Sequence, residues 1–130
     1  MVYLKLKQVV YKEIFMKVDF QENTQIEIEC SFSFNVNYSD DNTACIAKLR
    51  HELVCKEDPN QFRIAVEAHG LFSCEGIDVE DNKKQAHVQS YSLLFPYLQE
   101  KIAGLSKDAG CSPIMIEMAN MRTEDVIIQK

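Results

Sequence analysis

Histidine and cysteine are the residue types in this chain best suited to nucleophilic or acid–base chemistry. His69 lies five positions before Cys74, so a thiol activated by an imidazole base is the first chemistry to consider. Such a pair also needs a group that orients the imidazole and donors that stabilise an oxyanion. The sequence shows neither, and His51, His69 and His87 have no HxH or HxxxH spacing. We therefore predict no catalytic residue and no enzymatic activity.

Metal and cofactor binding are equally weakly indicated. No CxxC pair exists among the cysteines, which are Cys30, Cys45, Cys55, Cys74 and Cys111. That spacing excludes the usual zinc ribbon and thioredoxin-type motifs. Most of these cysteines fall in apolar patterns, where a thiol acts as a small hydrophobic group. The four glycines are scattered and build no phosphate-binding loop. We predict reduced thiols, no metal and no cofactor.

The methionines near the C-terminus suggest binding by apolar contact. Met115, Met118 and Met121 recur every three residues after a proline, beside Ile114 and Ile116. Methionine is flexible and polarizable, and it is common where one surface must fit many shapes. These residues either pack the end of the domain or form an exposed apolar patch that binds partners.

Length and net charge limit the kinds of protein to which the chain could belong. The chain has 130 residues and a net charge of −6, with both signs spread along it. We expect one domain, over residues 1–130, and no nucleic-acid partner, which would require a basic stripe. No apolar run approaches the roughly 18 residues of a membrane span, and the N-terminus alternates instead of resembling a signal peptide. We therefore expect a cytoplasmic protein with no direct membrane insertion. The acidic residues Glu27, Glu29 and Glu75 form either a solvated surface or a docking patch for a basic partner.

The elements that position these residues begin with strands. Alternation over residues 25–38 places Ile28, Cys30 and Phe32 on one face and glutamate, serine and asparagine on the other. A similar pattern over residues 4–20 predicts a long strand, or two strands joined by a bulge near Lys12. Turn residues at 39–42 and 58–60 separate two more strands, over 43–56 and 61–72. We expect the alternation of the last strand to break at Gly70.

The pattern becomes helical from Gln85, after a polar connection over residues 79–84. Apolar residues at spacings of three and four form one stripe: Val88, Tyr91, Leu94, Phe95, Leu98, Ile102 and Leu105. Pro96 is expected to kink this helix or begin a new one, and Gly110 is expected to cap it. Ser112-Pro113 then predicts an extended segment. The fold class is α+β: a four-stranded antiparallel meander with a helical layer on one face.

Several segments resemble the SecB family of protein-export chaperones. VYKEIFMKV at 10–18 is similar to the family's first strand, and RIAVEAHGLFSCEGID at 63–78 to its last strand and the following turn. AHVQSYSLLFPYLQEKIAGL at 86–105 is similar to its first helix. The strongest local likeness is LFPY at 94–97, because proline inside a helix is rare.

The resemblance implies a fold, an assembly and a function. SecB proteins are homotetramers built as dimers of dimers, so the helix would meet a second subunit through Tyr91, Leu94, Leu98, Ile102 and Leu105. Their substrate groove lies between the sheet and the segment after the helix, where Ile114, Met115, Ile116, Met118 and Met121 would line it. The implied activity is an ATP-independent holdase for unfolded or precursor proteins, most often in protein export. SecA is the implied second partner, docking on the acidic residues Glu27, Glu29 and Glu75.

Departures from the family leave alternatives open. The expected Asn-Phe ending is Asn120-Met121 here, and only RTEDVIIQK follows, so the second helix and acidic tail of the family are expected to be short or absent. That tail helps the family engage SecA, so whether this chain delivers clients to SecA also stays open. The alternatives are a SecB-shaped adaptor or a toxin–antitoxin-associated chaperone dedicated to one partner, and a small-ligand-binding or enzymatic domain with a cavity lined by His51 or His69. The number of subunits, dimer or tetramer, also stays open.

Overall fold

The computed structural model describes residues 2–19 and 25–126. Four strands and one long helix account for most of them: β1 (Tyr3–Val18), β2 (Ile28–Tyr38), β3 (Ala44–Cys55), β4 (Phe62–Glu75) and α1 (Glu80–Asp108). A short 3-10 helix, Thr123–Asp125, follows. Phe20, which we predicted as part of the first strand, and residues 127–130 of the tail lie outside the described residues. The α+β class with a helix over one face of the sheet is confirmed.

The strand order differs from the predicted meander in one respect. The sheet runs β1-β4-β3-β2 and every neighbouring pair is antiparallel. β2, β3 and β4 form a meander, but β1 pairs with β4 instead of β2, which is the order of a Greek key. Local alternation shows which side of a strand is buried and does not select its neighbour, so this pairing was not predictable from the pattern.

The side chains of the sheet lie in rows that cross all four strands. Ile14, Val66, His51 and Phe32 form one such row on the helix side, from β1 to β2. The pairing of β1 with β4 shifts at two places, between Leu6 and Gln8 and again between Tyr11 and Glu13. The second shift confirms the bulge expected near Lys12, and the first was not predicted. Each bulge moves one residue out of the alternation and reverses which face the following residues occupy.

The alternation of β4 does not break at Gly70, contrary to our prediction. The strand continues to Glu75, and Phe72 and Cys74 keep the buried parity. A Cβ at Gly70 would lie 2.9 Å from Phe72 Cε2 and 3.2 Å from Leu94 Cδ1. The glycine is therefore a point of close approach between the sheet and α1, and its role is packing.

Helix α1 begins five residues earlier than predicted. Its first turn is polar and carries Glu80 and Asp81, whose charges favour a helix N-terminus. The helix continues through Pro96, which is exposed. The proline ring has no N–H, so one i to i−4 hydrogen bond of the helix, to the Ser92 carbonyl, is missing. The predicted cap is confirmed: Gly110 has φ +86°, and the N–H of Cys111 donates to the Ser106 carbonyl oxygen. This pattern is a Schellman motif.

The core lies between the sheet and α1. The largest fully buried side chains include Phe62, Leu49, Leu53 and Ile64 from the sheet, with Tyr91, Leu94, Leu98 and Ile102 from the helix. The Tyr38 hydroxyl donates to the Lys83 carbonyl oxygen at 3.0 Å, and the Tyr11 hydroxyl donates to the Tyr97 carbonyl oxygen at 3.3 Å. The helix therefore crosses the sheet diagonally, from β2 toward β1. No helix in the described part of the chain combines the length and low polarity needed to cross a bilayer.

Candidate functional site

The segment after the helix, residues 112–126, is called the strap here. It has neither helix nor strand over residues 112–122, in agreement with the loop or extended segment predicted from Ser112-Pro113, and it ends in the 3-10 helix. Its contacts show that it returns along α1. Three helix side chains hold its backbone: the Ser106 hydroxyl accepts from the N–H of Ile114 at 2.8 Å, Gln99 Nε2 donates to the Ile116 carbonyl at 2.9 Å, and the Tyr91 hydroxyl accepts from the N–H of Ala119 at 2.8 Å. These helix residues are spaced by about two turns each, so they lie on one face of α1.

The strap has a buried side and an exposed side. Ile116 is only 6% exposed and belongs to the core, whereas Met115 and Met118 are 63% and 51% exposed. Ile114 and Met121 are half-buried against the core. The five predicted groove residues therefore do not share one environment. Met115 and Met118 are available for contact with another molecule, and Ile116 fixes the strap to the domain.

Further apolar side chains are exposed at the two edges of the sheet, on its helix side. They are Ile14 and Met16 on β1 and Ile28 and Phe32 on β2, each at least 37% exposed. Their neighbours across the sheet are buried, which places all four on the helix side. α1 covers the middle of the sheet and leaves these edge positions open.

Tyr91 connects the strap to the exposed end of β2. Its hydroxyl holds Ala119 as described, and its ring centroid lies 5.2 Å from that of Phe34 and 6.1 Å from that of Phe32. Burial raises the pKa of the Tyr91 hydroxyl, so it remains a neutral hydrogen-bonding group at physiological pH. Phe32 and the strap thus flank one aromatic junction.

The residues with possible chemistry do not meet as the sequence suggested. His69 lies on the outer face of the sheet, 2.7 Å from Glu67 Oε2, and Cys74 lies on the helix side, 3.3 Å from the sulfur of Cys45. The contact that does form joins Cys30 Sγ to His51 Nδ1 at 3.6 Å. Both side chains point to the helix side of the sheet from neighbouring strands. The alternation pattern assigned both residues to that side, and this is the signal that could have predicted the pair.

The Cys30–His51 pair is unsuited to nucleophilic catalysis. His51 is 2% exposed and stacks on Phe32, and burial lowers its pKa to about 4. Burial also raises the pKa of the Cys30 thiol. Both groups are therefore neutral at pH 7, whereas nucleophilic attack requires a thiolate. His51 Nε2 has no hydrogen-bond partner among the described residues.

The helix residues predicted to form a subunit interface belong instead to the core of the chain. Tyr91, Leu94, Leu98 and Ile102 are at most 1% exposed, and Leu105 is half-buried. A side chain without exposed surface cannot contact a second subunit, so our prediction was wrong for the first four of these residues. Leu93, on the opposite side of α1, and Tyr97, on the flank of the helix beside β1, are each 44% exposed. The apolar stripe identified the sheet-facing side of the helix, because burial within one chain and burial between chains give the same pattern.

The three acidic residues predicted as a docking patch do not lie together in one subunit. Glu29 is opposite Val54, whose own neighbour is Arg63 at the start of β4, whereas Glu75 ends β4. The length of β4 separates them by about 40 Å. Glu27 is near Glu29 and lies 3.7 Å from Lys56 Nζ.

Comparison with known proteins gives consistent results. The family model described as preprotein translocase subunit SecB matches residues 3–123. The protein-export protein SecB of Rickettsia typhi is 26% identical over 92 residues, which are 70% of this chain and 60% of that protein. The same values hold for SecB of Rickettsia massiliae. The chain thus spans 60% of the length of these curated relatives.

Solved structures share the fold. A SecB-like chaperone of Mycobacterium tuberculosis, in complex with a ChAD peptide from the HigA1 antitoxin, aligns with a TM-score of 0.71 at 14% identity. The alignment covers 89% of this chain and 90% of that one. A protein of unknown function from Streptococcus agalactiae aligns with a TM-score of 0.53 at 11% identity, covering 90% and 98% of the two chains.

Proposed function

The chain belongs to the SecB family, and we propose that it is a molecular chaperone that holds unfolded polypeptides without ATP. The observation that carries the proposal is the set of exposed apolar side chains around the Tyr91 junction: Phe32 on β2, and Met115 and Met118 on the strap. An exposed apolar patch with adaptable methionines suits unfolded clients of varied sequence. A protein that binds only the unfolded state of a client shifts that client's folding equilibrium by mass action.

The proposed activity is binding alone, so no bond is made or broken and no catalytic residue or cofactor is assigned. We place the protein in the cytoplasm, where precursor proteins are unfolded before export. SecA is a candidate second partner. Its docking surface would include Glu27 and Glu29, which lie at one end of the sheet, and Glu75 would join them only across an assembly of subunits.

Assembly into a dimer or tetramer is part of the proposal. Leu93 and Tyr97 support it, because they expose apolar surface outside the contact between α1 and the sheet. Val79, just before the helix, is also 53% exposed. An interface on this side of the helix would leave the Tyr91 junction open to clients.

The experiment is suppression of aggregation. At stoichiometric amounts and without nucleotide, the protein should reduce light scattering from a thermally or chemically unfolded client. Replacing Met115 and Met118 together with glutamine should weaken suppression several-fold, because the polar amides reduce apolar contact. Glu117→Gln, between the two methionines, is the matched control and should behave as the unsubstituted protein. Unchanged scattering in the presence of the unsubstituted protein would refute the proposal.

The second candidate function is a chaperone or adaptor dedicated to one partner. The Mycobacterium tuberculosis neighbour, solved with an antitoxin peptide, favours it. A panel of unrelated unfolded clients separates the two functions: a general holdase suppresses aggregation of most of them, and a dedicated one protects its own partner alone.

A further inference from the structure

The two edges of the sheet are protected very differently. β1 carries Lys5, Lys7, Lys12 and Lys17 and two bulges, which are features that discourage pairing with another strand. β2 pairs with β3 in continuous register from Ile28 to Tyr38 and contains no lysine, arginine, proline or bulge. Its only charged residue is Glu29. β2 is thus a long, regular edge strand that lacks the lysines, proline and bulges that usually prevent pairing with another strand.

The hydrogen bonds at the two ends of β2 show which backbone groups face outward. The N–H of Lys56 donates to the Glu27 carbonyl at 2.8 Å, and the N–H of Ser39 donates to the Ala44 carbonyl at 2.9 Å. Odd-numbered residues of β2 therefore direct their backbone groups to β3, and even-numbered residues direct theirs away from it. In residues 2–19 and 25–126, no backbone bond from outside the sheet reaches Ile28, Cys30 or Phe32.

The same even-numbered residues carry the apolar side chains of the strand. Ile28 and Phe32 are 37% and 45% exposed, and Cys30 between them is also exposed. The other half of β2 is covered by α1, where Phe34 contacts His87 and Tyr38 bonds to Lys83. One end of the edge therefore offers outward-facing backbone groups and an apolar row together.

We infer that the half of β2 over residues 28–33 binds an extended segment of an unfolded polypeptide as an added antiparallel strand. This inference rests on the proposed chaperone function and specifies how a client is held. The client residues opposite Ile28, Cys30 and Phe32 lie on the apolar side of the sheet, and those opposite Glu29, Ser31 and Ser33 lie on its polar side. Alternating apolar and polar side chains therefore fit best.

Charge favours a basic client segment over a second copy of β2. The Glu27 side chain is 72% exposed and Glu29 is near it, so lysines flanking the client segment are attracted. A second copy of β2 would bring its own Glu27 and Glu29 to this edge, and the like charges would repel one another.

The test uses a labelled eight-residue peptide with the sequence lysine, leucine, serine, valine, serine, leucine, lysine, glycine, and fluorescence anisotropy with the full chain. In an antiparallel pair the N–H groups of the leucines and valine face β2, and those of the serines face solvent. N-methylation of the leucines and valine should weaken binding at least about tenfold, whereas N-methylation of the serines should change it less than about twofold. Equal effects of both sets, no effect of either, or no binding of the parent peptide would overturn the inference.

A pair of protein variants provides the reciprocal test. Cys30→Pro removes an outward-facing N–H and leaves the ladder to β3 intact, and Cys30→Val keeps that N–H with a similar apolar side chain. Only the proline variant should lose peptide affinity, by about tenfold; equal affinities would contradict the inference. If the proline variant does not fold by circular dichroism, the methylated peptides decide alone. A concentration-dependent dimer that the proline variant abolishes, without peptide binding, would assign the edge to a second copy. Continued suppression of client aggregation in any overturning case would leave the chaperone function standing.

Discussion

The hydroxyl of Tyr91 accepts a hydrogen bond of 2.8 Å from the backbone N–H of Ala119, 28 residues further along the chain. The bond fixes the strap against α1 at the point where the tyrosine ring also contacts Phe34. One buried side chain thus orders the helix, the strap and β2. The candidate binding surface depends on that arrangement.

Tyr91→Phe should lower the free energy of unfolding by about 1–3 kcal/mol, because it leaves the Ala119 N–H without its partner and keeps the ring. Urea denaturation measures this change. Cleavage of the strap by a protease should also become faster in the variant. Tyr97→Phe is the control: Tyr97 is exposed, and within the described residues its ring hydroxyl makes no hydrogen bond, so the effect should stay within about 0.5 kcal/mol. Equal stability of the two variants would contradict the role of the Tyr91 hydroxyl.

Gly70→Ala should destabilise the protein by about 1–3 kcal/mol, since the new methyl group would press on the buried Phe72 ring and on Leu94. Gly104→Ala is the matched change in α1, where a Cβ meets nothing within 4 Å. That substitution should stabilise by about 0.5–1 kcal/mol through helix propensity. Thermal denaturation of both variants provides the comparison. A neutral or stabilising effect at Gly70 would show that the sheet and helix approach less closely than described.

Stability should decrease in mildly acidic solution because of His51. Burial lowers its folded pKa from 6.5 to about 4, so the unfolded chain binds the additional proton between these values. Above pH 6.5 His51 is neutral in both the folded and the unfolded state, and its burial carries no protonation penalty. As the pH falls from 6.5 to 4 the free energy of unfolding decreases by about 3 kcal/mol, since one pKa unit corresponds to about 1.4 kcal/mol. The urea concentration at the midpoint of unfolding should therefore decrease when it is measured from pH 7.5 down to pH 4.

His51→Phe serves as the control for that pH dependence, because it keeps an aromatic ring in the stack with Phe32 and removes the titrating group. Burial also lowers the pKa of His87, which adds a contribution of the same sign. The stability of the variant should therefore depend less steeply on pH than that of the unsubstituted protein, without becoming independent of it. A profile parallel to that of the unsubstituted protein would show that His51 does not contribute.

Charged substitutions on the two sides of α1 should have different effects, one on folding and the other on assembly. Leu98 is fully buried, so Leu98→Asp places a carboxylate in the core, costs several kcal/mol and should prevent folding. Leu93→Asp should leave circular dichroism unchanged, because Leu93 is 44% exposed, and should dissociate any oligomer formed through this side of the helix. Sedimentation velocity measures the second effect. An oligomer that persists in folded Leu93→Asp protein would place the interface elsewhere.

Much of the fold could be predicted from local sequence. The alternation of β2 placed Cys30 and Phe32 on the inner face, and the turn residues around Asp41 predicted the β2–β3 connection, where Ser39 and Thr43 donate to the Asp41 carboxylate. Gly110 and Ser112-Pro113 predicted the end of the helix and the extended strap. These features depend on neighbours within a few residues, so their signals are contained in short stretches of sequence.

Tertiary structure decided the features that depend on contacts between distant residues. β1 pairs with β4, Gly70 lies within a continuous strand at a point where α1 approaches closely, and the apolar stripe of α1 packs on its own sheet instead of a second subunit. Met115 and Ile116 are adjacent and equally apolar, yet only the first is exposed. Hydrophobic periodicity is a local property that marks which side chains leave water. The partner that covers them is selected by packing between distant segments, which no short stretch of sequence contains.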